Sequence, residues 1–317
     1  MARHPQDPDV QGASPGRVPE APRSFASSLL RTLRPEQWTK NLVVFAALLF
    51  GRQLFSPTAV VLATVAFLVF CALSGVVYLI NDVMDRDADR RHPLKSRRPI
   101  ASGALSVQAA LASAGVLGIV GLGAAWWVGP GFAGAAAFYL LLLTLYSGPL
   151  KHMVIVDVLT IALGFVLRAV AGAIAIGVEI SHWLLVCTIL LALFMALAKR
   201  RQELVMLADS ASSHRRILRE YSPYLLDQMI SVVTASTITG YALYTVSPET
   251  IEKFGSDQLI YTLPFPLYGI FRYLYLVHQK QGGGSPAELL LRDRPLLVCV
   301  ALWAVAVILI IYRPFGP

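Results

Sequence analysis

Residues 58–92 read TAVVLATVAFLVFCALSGVVYLI (Thr58–Ile80) and then, without a break, NDVMDRDADRRH (Asn81–His92). The first 23 of these carry no charge, and an α-helix of that length crosses the ~30 Å hydrocarbon core of a bilayer. They show no two-residue alternation, so the run reads as a helix rather than a strand. Directly after Ile80 the chain turns acidic within one helical turn. The pairing predicts a membrane helix that delivers a cluster of carboxylates to one edge of the bilayer.

The apolar half of this pattern recurs along the chain. Of 317 residues, 56% are hydrophobic and 15% charged, where a soluble domain carries about a quarter charged. In hydrocarbon every backbone N–H and C=O needs an internal partner, which leaves helix bundles and closed barrels. Long unalternating apolar runs select the bundle. Nine spans are expected, at about 38–55, 58–80, 104–128, 131–147, 154–177, 182–200, 227–246, 259–279 and 295–312. Ser56-Pro57, Gly129-Pro130-Gly131 and the 282–286 stretch separate several of them. Residues 1–24 lack an apolar core and read as a disordered cytoplasmic tail rather than a signal peptide; residues 25–317 form the membrane domain. Cys71, Cys187 and Cys299 all lie in apolar runs, without disulfide or metal spacing.

Lysine and arginine set the orientation. Six fall before the first span (Arg3, Arg17, Arg23, Arg31, Arg34, Lys40) and six after the second (Arg86, Arg90, Arg91, Lys95, Arg97, Arg98). Lys151 follows the fourth, while Lys199, Arg200, Arg201, Arg215, Arg216 and Arg219 follow the sixth. Lys280, Arg292 and Arg294 follow the eighth, and only Arg52, Lys253 and Arg313 fall on the other side. The N-terminus is therefore expected inside, in a plasma (bacterial inner) membrane. The net charge of +8 reads as topology and attraction to anionic lipid; the partner is a bilayer, with no nucleic acid.

Asn81, Asp85 and Asp89 stand at i, i+4 and i+8, so they share one helical stripe, with Asp82 beside it. Clustered carboxylates at a bilayer edge repel one another, and partial desolvation adds to the cost. Oxygen-only ligands of this kind call for Mg²⁺, bound through Asn81, Asp82, Asp85 and Asp89 together with substrate phosphates. Just downstream, Pro93 and Pro99 break helical continuation, so the basic loop 90–103 is free to fold back over the site. Acid for metal beside base for phosphate is what a diphosphate leaving group requires.

With these residues the chain resembles the UbiA-type intramembrane transferase superfamily over roughly 31–312. The likeness rests on Arg34-Pro35-Glu36-Gln37-Trp38-Thr39-Lys40-Asn41, on the 81–89 run and on Arg98-Pro99-Ile100-Ala101-Ser102-Gly103. It implies an all-α membrane protein, a nine-helix transmembrane bundle of the UbiA prenyltransferase type. Most of that superfamily move a prenyl group and carry a second Asp-x-x-x-Asp motif after the fourth span. Here Asp157 is present but Ile161 holds the second place, which departs from ordinary prenyl transfer. Lys151-His152, Gly164-Phe165-x-x-Arg168, Lys199-Arg200-x-x-Glu203, Arg272-Tyr273 and Leu291-Arg292-Asp293-Arg294 look like the decaprenyl-phosphate phosphoribosyltransferase branch. That branch implies 5-phosphoribosyl 1-diphosphate as donor, a polyprenyl phosphate as acceptor, a product feeding cell-wall arabinan, and a homotrimer.

On this reading Asp85 and Asp89, supported by Asn81, hold Mg²⁺ against the donor. Lys40, Asn41, Lys95, Arg98, Lys151, Arg168, Lys199 and Arg200 take donor phosphates, with Lys40 and Asn41 lining the mouth near the sugar. Asp157 stabilises the cationic ribose or binds its hydroxyl. Arg168, midway through the fifth span, is expected to line a wet cavity rather than to pair with Asp157, since eleven residues of helix separate them by roughly 16 Å. Trp126, Trp127, Phe138 and Tyr139 are expected in the lipid belt. Two other readings are an aromatic prenyltransferase, which Ile161 disfavours, and a transporter, which predicts a repeat or dispersed intramembrane charges that the chain lacks.

Overall fold

A computed structural model of the protein describes residues 24–92, 95–208, 220–279, 289 and 292–312. Residues 1–23 of the expected tail (1–24), and Arg215, Arg216, Arg219, Lys280, Leu291 and Arg313, lie outside the described residues. Every regular element described is helical. In chain order they are α1 (Phe25–Leu33), a 3₁₀ stretch (Pro35–Phe45), α2 (Ala46–Phe50), α3 (Pro57–Met84), α4 (Arg86–Arg90) and α5 (Pro99–Ser102). Then come α6 (Val107–Val128), α7 (Pro130–Ser147), α8 (Val156–Ile176), α9 (His182–Ala208), α10 (Pro223–Val246), α11 (Pro248–Phe254), α12 (Pro264–Gln279) and α13 (Arg294–Tyr312).

Among the described residues, seven helices are long and apolar enough to cross a membrane: α3, α6 to α10 and α13. The chain is a multi-pass integral membrane protein. The stretches expected as the first and eighth of nine spans are not among these seven, because each is composite rather than one long α-helix. Pro35–Phe45 is wound as 3₁₀ and leads into the five residues of α2. A 3₁₀ turn rises about 2.0 Å per residue against 1.5 Å, so these 16 residues reach roughly 30 Å, a bilayer's thickness, where a plain α-helix would reach about 24 Å. The eighth begins as 3₁₀ (Gln258–Thr262) and continues as α12 from Pro264. The sixth runs past its apolar segment to Ala208, because charge ends a membrane span without ending a helix.

Helix starts follow local chemistry. Ser56 caps α3 and Ser106 caps α6 through their hydroxyls, and Pro57 and Pro130 occupy first-turn positions where no N–H is needed. α3 packs against α6, α7 and α8, while α8 also packs against α9 and the 3₁₀ stretch. The inner face of α8 is small (Ala169, Ala171, Gly172, Ala173 and Ala175 are all buried), and in lipid such faces let backbones approach closely. Outward residues are the inverse of a soluble protein: Ile119 is 76% and Trp127 72% exposed, a surface suited to hydrocarbon. Trp126 and Phe138 also face out, but Tyr139 is buried, a correction to its expected place in the lipid belt.

Gly172 shows how tight the first span sits. A Cβ built there would lie 2.2 Å from the Val44 carbonyl oxygen and 3.0 Å from its carbon. Neither atom is the end of a flexible side chain. Gly172→Ala gains about 1 kcal/mol in helix propensity but forces two backbones apart, which costs about 1–3 kcal/mol or more. The net expectation is a lower thermal midpoint in detergent; an unchanged or raised midpoint would show that the two segments are not in contact.

Candidate active site

The acidic run leaves the end of α3 without losing helical register. The Asp85 N–H donates to Asn81 O at 2.9 Å and the Asp89 N–H to Asp85 O at 2.8 Å, so the expected shared stripe exists. Asp82 and Asp85 meet cations from distant stretches, Asp89 meets one from the following loop, and exposed Asp87 pairs with its neighbours Arg86 and Arg90. Asp82, 2% exposed, accepts from Arg34 Nη2 at 2.6 Å and Arg98 Nη1 at 3.1 Å. The same Arg98 nitrogen reaches Asp89 Oδ2 at 2.7 Å. Asp85 accepts from Lys151 Nζ at 2.7 Å on one oxygen and from Asn81 Nδ2 at 3.2 Å on the other.

Local backbone chemistry delivers each cation. Arg98 is extended (φ −64°, ψ 143°) because Pro99 follows it, and Ile100 anchors the loop among Val76 and Leu79 of α3. The basic loop does fold back onto the acids. Arg34 caps α1 in the left-handed region (φ 52°) and stacks its guanidinium 4.8 Å from the Tyr78 ring centre. Lys151, 6% exposed, sits in the 3₁₀ turn Leu150–His152 between α7 and α8. Arg34 was not among the residues expected at the site, although it opens the 34–41 motif.

The donor chemistry of Asn81, Asp85 and Asp89 is oxygen-only and one-sided, which fits a hard divalent cation. Asp82 differs: one of its oxygens is claimed by both Arg34 and Arg98. Among the described residues no three His, Cys, Asp or Glu side chains converge closely enough to hold a metal by themselves.

Other expected residues take different places. Asp157 is fully buried, and both its oxygens are engaged, one by Arg200 Nη2 at 2.6 Å and one by the Tyr221 hydroxyl at 2.8 Å. With no accessible surface, it presents neither oxygen to a ribose. Arg200 is also buried and reaches Glu203 at 2.7 Å, while Lys199 is exposed 3.8 Å from the same glutamate. Lys40 and Lys95 are half-buried; the Lys95 backbone N–H donates to His92 Nδ1 at 3.3 Å.

Arg168 and Asn41 need correcting most. Arg168 is 6% exposed and is bonded within the bundle: its Nε donates to Asn41 Oδ1 at 2.7 Å, Nη1 to Gly164 O at 2.9 Å and Nη2 to the Tyr139 hydroxyl at 2.6 Å. Its charge also lies 4.6 Å from the Tyr139 ring centre. Asn41, 1% exposed, is interior rather than at the mouth, and bonds Cys71 Sγ and the Ser74 hydroxyl as well. This network ties the first span to α3, α7 and α8. Neutral acceptors and aromatic faces are what make a carboxylate-free arginine tolerable there. Outside this cluster, Arg272 grips Asp293 through two nitrogens at 2.9 and 3.2 Å. That hydrogen bonding holds the Asp293 carboxyl below the usual range and pins α12 to the start of α13.

A helical membrane bundle with a carboxylate stripe, answered by lysine and arginine at one end, is the architecture of an intramembrane transferase. The chain belongs to the UbiA prenyltransferase family, whose profile matches residues 41–292. It is similar to the decaprenyl-phosphate phosphoribosyltransferase of Corynebacterium glutamicum, at 32% identity over 312 residues, covering 96% of this chain and 93% of the relative. The enzyme of that name from Mycolicibacterium smegmatis is 33% identical, covering 89% and 92%. In fold it resembles a UbiA homolog from Archaeoglobus fulgidus bound to GPP and Mg²⁺, with a TM-score of 0.68 at 23% identity, covering 89% of this chain and 99% of the homolog.

Proposed function

We propose that this protein transfers 5-phosphoribosyl from 5-phosphoribosyl 1-diphosphate to a polyprenyl phosphate and releases diphosphate. The reaction belongs at the cytoplasmic face of the plasma membrane, and its product would feed cell-wall arabinan synthesis. The observation that carries this reading is the near full-length similarity to enzymes of that name. Ile161 in place of a second aspartate supports it, because a prenyl-diphosphate donor loses one of the two aspartates expected in the second motif. A homotrimeric assembly is part of the same proposal.

Asn81, Asp85 and Asp89 would hold Mg²⁺, which neutralises charge on the donor's diphosphate when bound. Lys151 and Arg98 then have a second anion within reach. Each exchanges its carboxylate for a diphosphate oxygen, where charge develops as the bond to the ribose C1 breaks. Arg34 stays on Asp82 and keeps the end of α3 in place. The departing diphosphate takes the bonding electron pair, and a lipid phosphate oxygen forms the new bond to C1 from the opposite face. That phosphate is already an anion at neutral pH, so no general base is needed. Arg200 and Lys199 are candidates for the donor's remaining phosphate, while Asp157 and Arg168 hold the scaffold.

The test incubates purified full-length protein with Mg²⁺, labelled phosphoribosyl diphosphate and polyprenyl phosphate, with prenyl diphosphate plus 4-hydroxybenzoate run in parallel. Label is expected in the lipid phase in the first arm alone. Turnover of the aromatic acid with no labelled lipid would overturn the proposal.

A further inference from the structure

Tyr221 lies just before α10, buried (4% exposed) among Val158, Leu226 and Tyr273. Its hydroxyl makes two bonds at once. It accepts from the Ile155 N–H at 2.8 Å and donates to Asp157 Oδ1 at 2.8 Å. Burial pushes this hydroxyl up to about 12, so it remains a donor across the working pH range.

Ile155 is the unusual partner. Its backbone sits at φ 68°, ψ −44°, a region that a β-branched L-residue occupies only when the surroundings hold it there. The residue is 48% exposed, so packing holds it only in part; backbone bonds from the Asp157 N–H to Met153 O and from the Leu159 N–H to Ile155 O, both 3.0 Å, close the turn around it. The Tyr221 hydroxyl is what meets the Ile155 N–H. Four residues earlier the same turn carries Lys151, whose Nζ rests on Asp85. The turn continues into α8 at once, where Arg200 fixes the other Asp157 oxygen. One phenolic oxygen thus joins the start of α10 to the turn that aims Lys151.

We propose that Tyr221 is a positioning residue: its hydroxyl holds the strained Ile155 turn and thereby keeps Lys151 directed at Asp85. The consequence for the donor rests on the proposed phosphoribosyl transfer, since only there does Lys151 bind diphosphate; the hold on the turn does not. Tyr221→Phe keeps the ring that fills the core and removes only the oxygen. The variant that discriminates is Tyr221→Phe with Ile155→Gly, because glycine takes a positive φ without being held.

Two readouts are taken on full-length protein in detergent: KM for each substrate, and the rate at which an amine-acylating reagent labels Lys151, followed by mass spectrometry. Tyr221→Phe is expected to raise KM for the phosphoribosyl donor about tenfold, with KM for polyprenyl phosphate changed less than about twofold. Lys151 labelling should speed up by about fivefold, since the buried amine is released. In the double variant both quantities should return most of the way. Equal changes in the two KM values, unchanged labelling, or no recovery with glycine would each overturn the assignment. If the wild-type chain transfers no phosphoribosyl, the proposed function fails, and the labelling series still decides whether Tyr221 holds the turn.

Discussion

Asp85→Asn is expected to lower transfer on the order of a thousandfold, the scale for losing one directed charge at a developing anion. Asp85 is the one carboxylate of the stripe bonded to both Asn81 and Lys151, and its side chain is 25% exposed where Asp82 and Asp89 are nearly closed off. It is therefore the group best placed to meet an incoming ligand. Asparagine keeps the size and the Asn81 contact while removing the charge. Detergent extraction, size-exclusion profile and thermal midpoint should stay close to those of the unaltered protein. Retention of more than a tenth of the activity would remove Asp85 from the centre of the site.

Asn41→Leu should act in the opposite way, on stability first. Leucine is close in volume but takes away the oxygen that accepts from Arg168 Nε and Ser74 Oγ. The guanidinium cannot follow a missing partner into water, because Arg168 is only 6% exposed. Leaving a buried charged donor unpaired costs about 3 kcal/mol, a drop in thermal midpoint on the order of 5–10 °C. Had Asn41 stood at the mouth beside the sugar, the same change would raise KM for the donor and leave the midpoint alone. The comparison of melting with donor KM therefore separates an interior brace from a substrate ligand.

The acidic edge was legible in sequence because it rests on two local properties, an uncharged run and a four-residue spacing. The return of Arg98 was legible for a similar reason: Pro99 keeps the residue before it extended, close in the chain to the acids it meets. The surroundings of Arg168 are not legible in sequence, because hydropathy says that a mid-span arginine must be compensated but not by what. The usual compensations are a carboxylate or water, whereas here an amide oxygen, a phenol and two aromatic rings serve. Asp157 was placed at the substrate on family pattern, and Tyr221 had no sequence signal at all. A tyrosine beside a basic loop is unremarkable until its hydroxyl is seen between Ile155 and Asp157.

The sequence by itself determined that this is a helical membrane protein with carboxylates at the end of its second span. Hydropathy and helical period are properties of contiguous residues, and lipid permits few structures that satisfy them. Only the tertiary structure decided which cation answers which carboxylate, and that the first span is partly wound as 3₁₀ against α8. Those choices join residues far apart in the chain: Arg34 with Asp82 across 48 positions, Lys151 with Asp85 across 66, and Arg168 with Asn41 across 127. A charge buried in a bundle takes the partner that helix packing brings within 3 Å, and packing is settled by the whole set of helices at once.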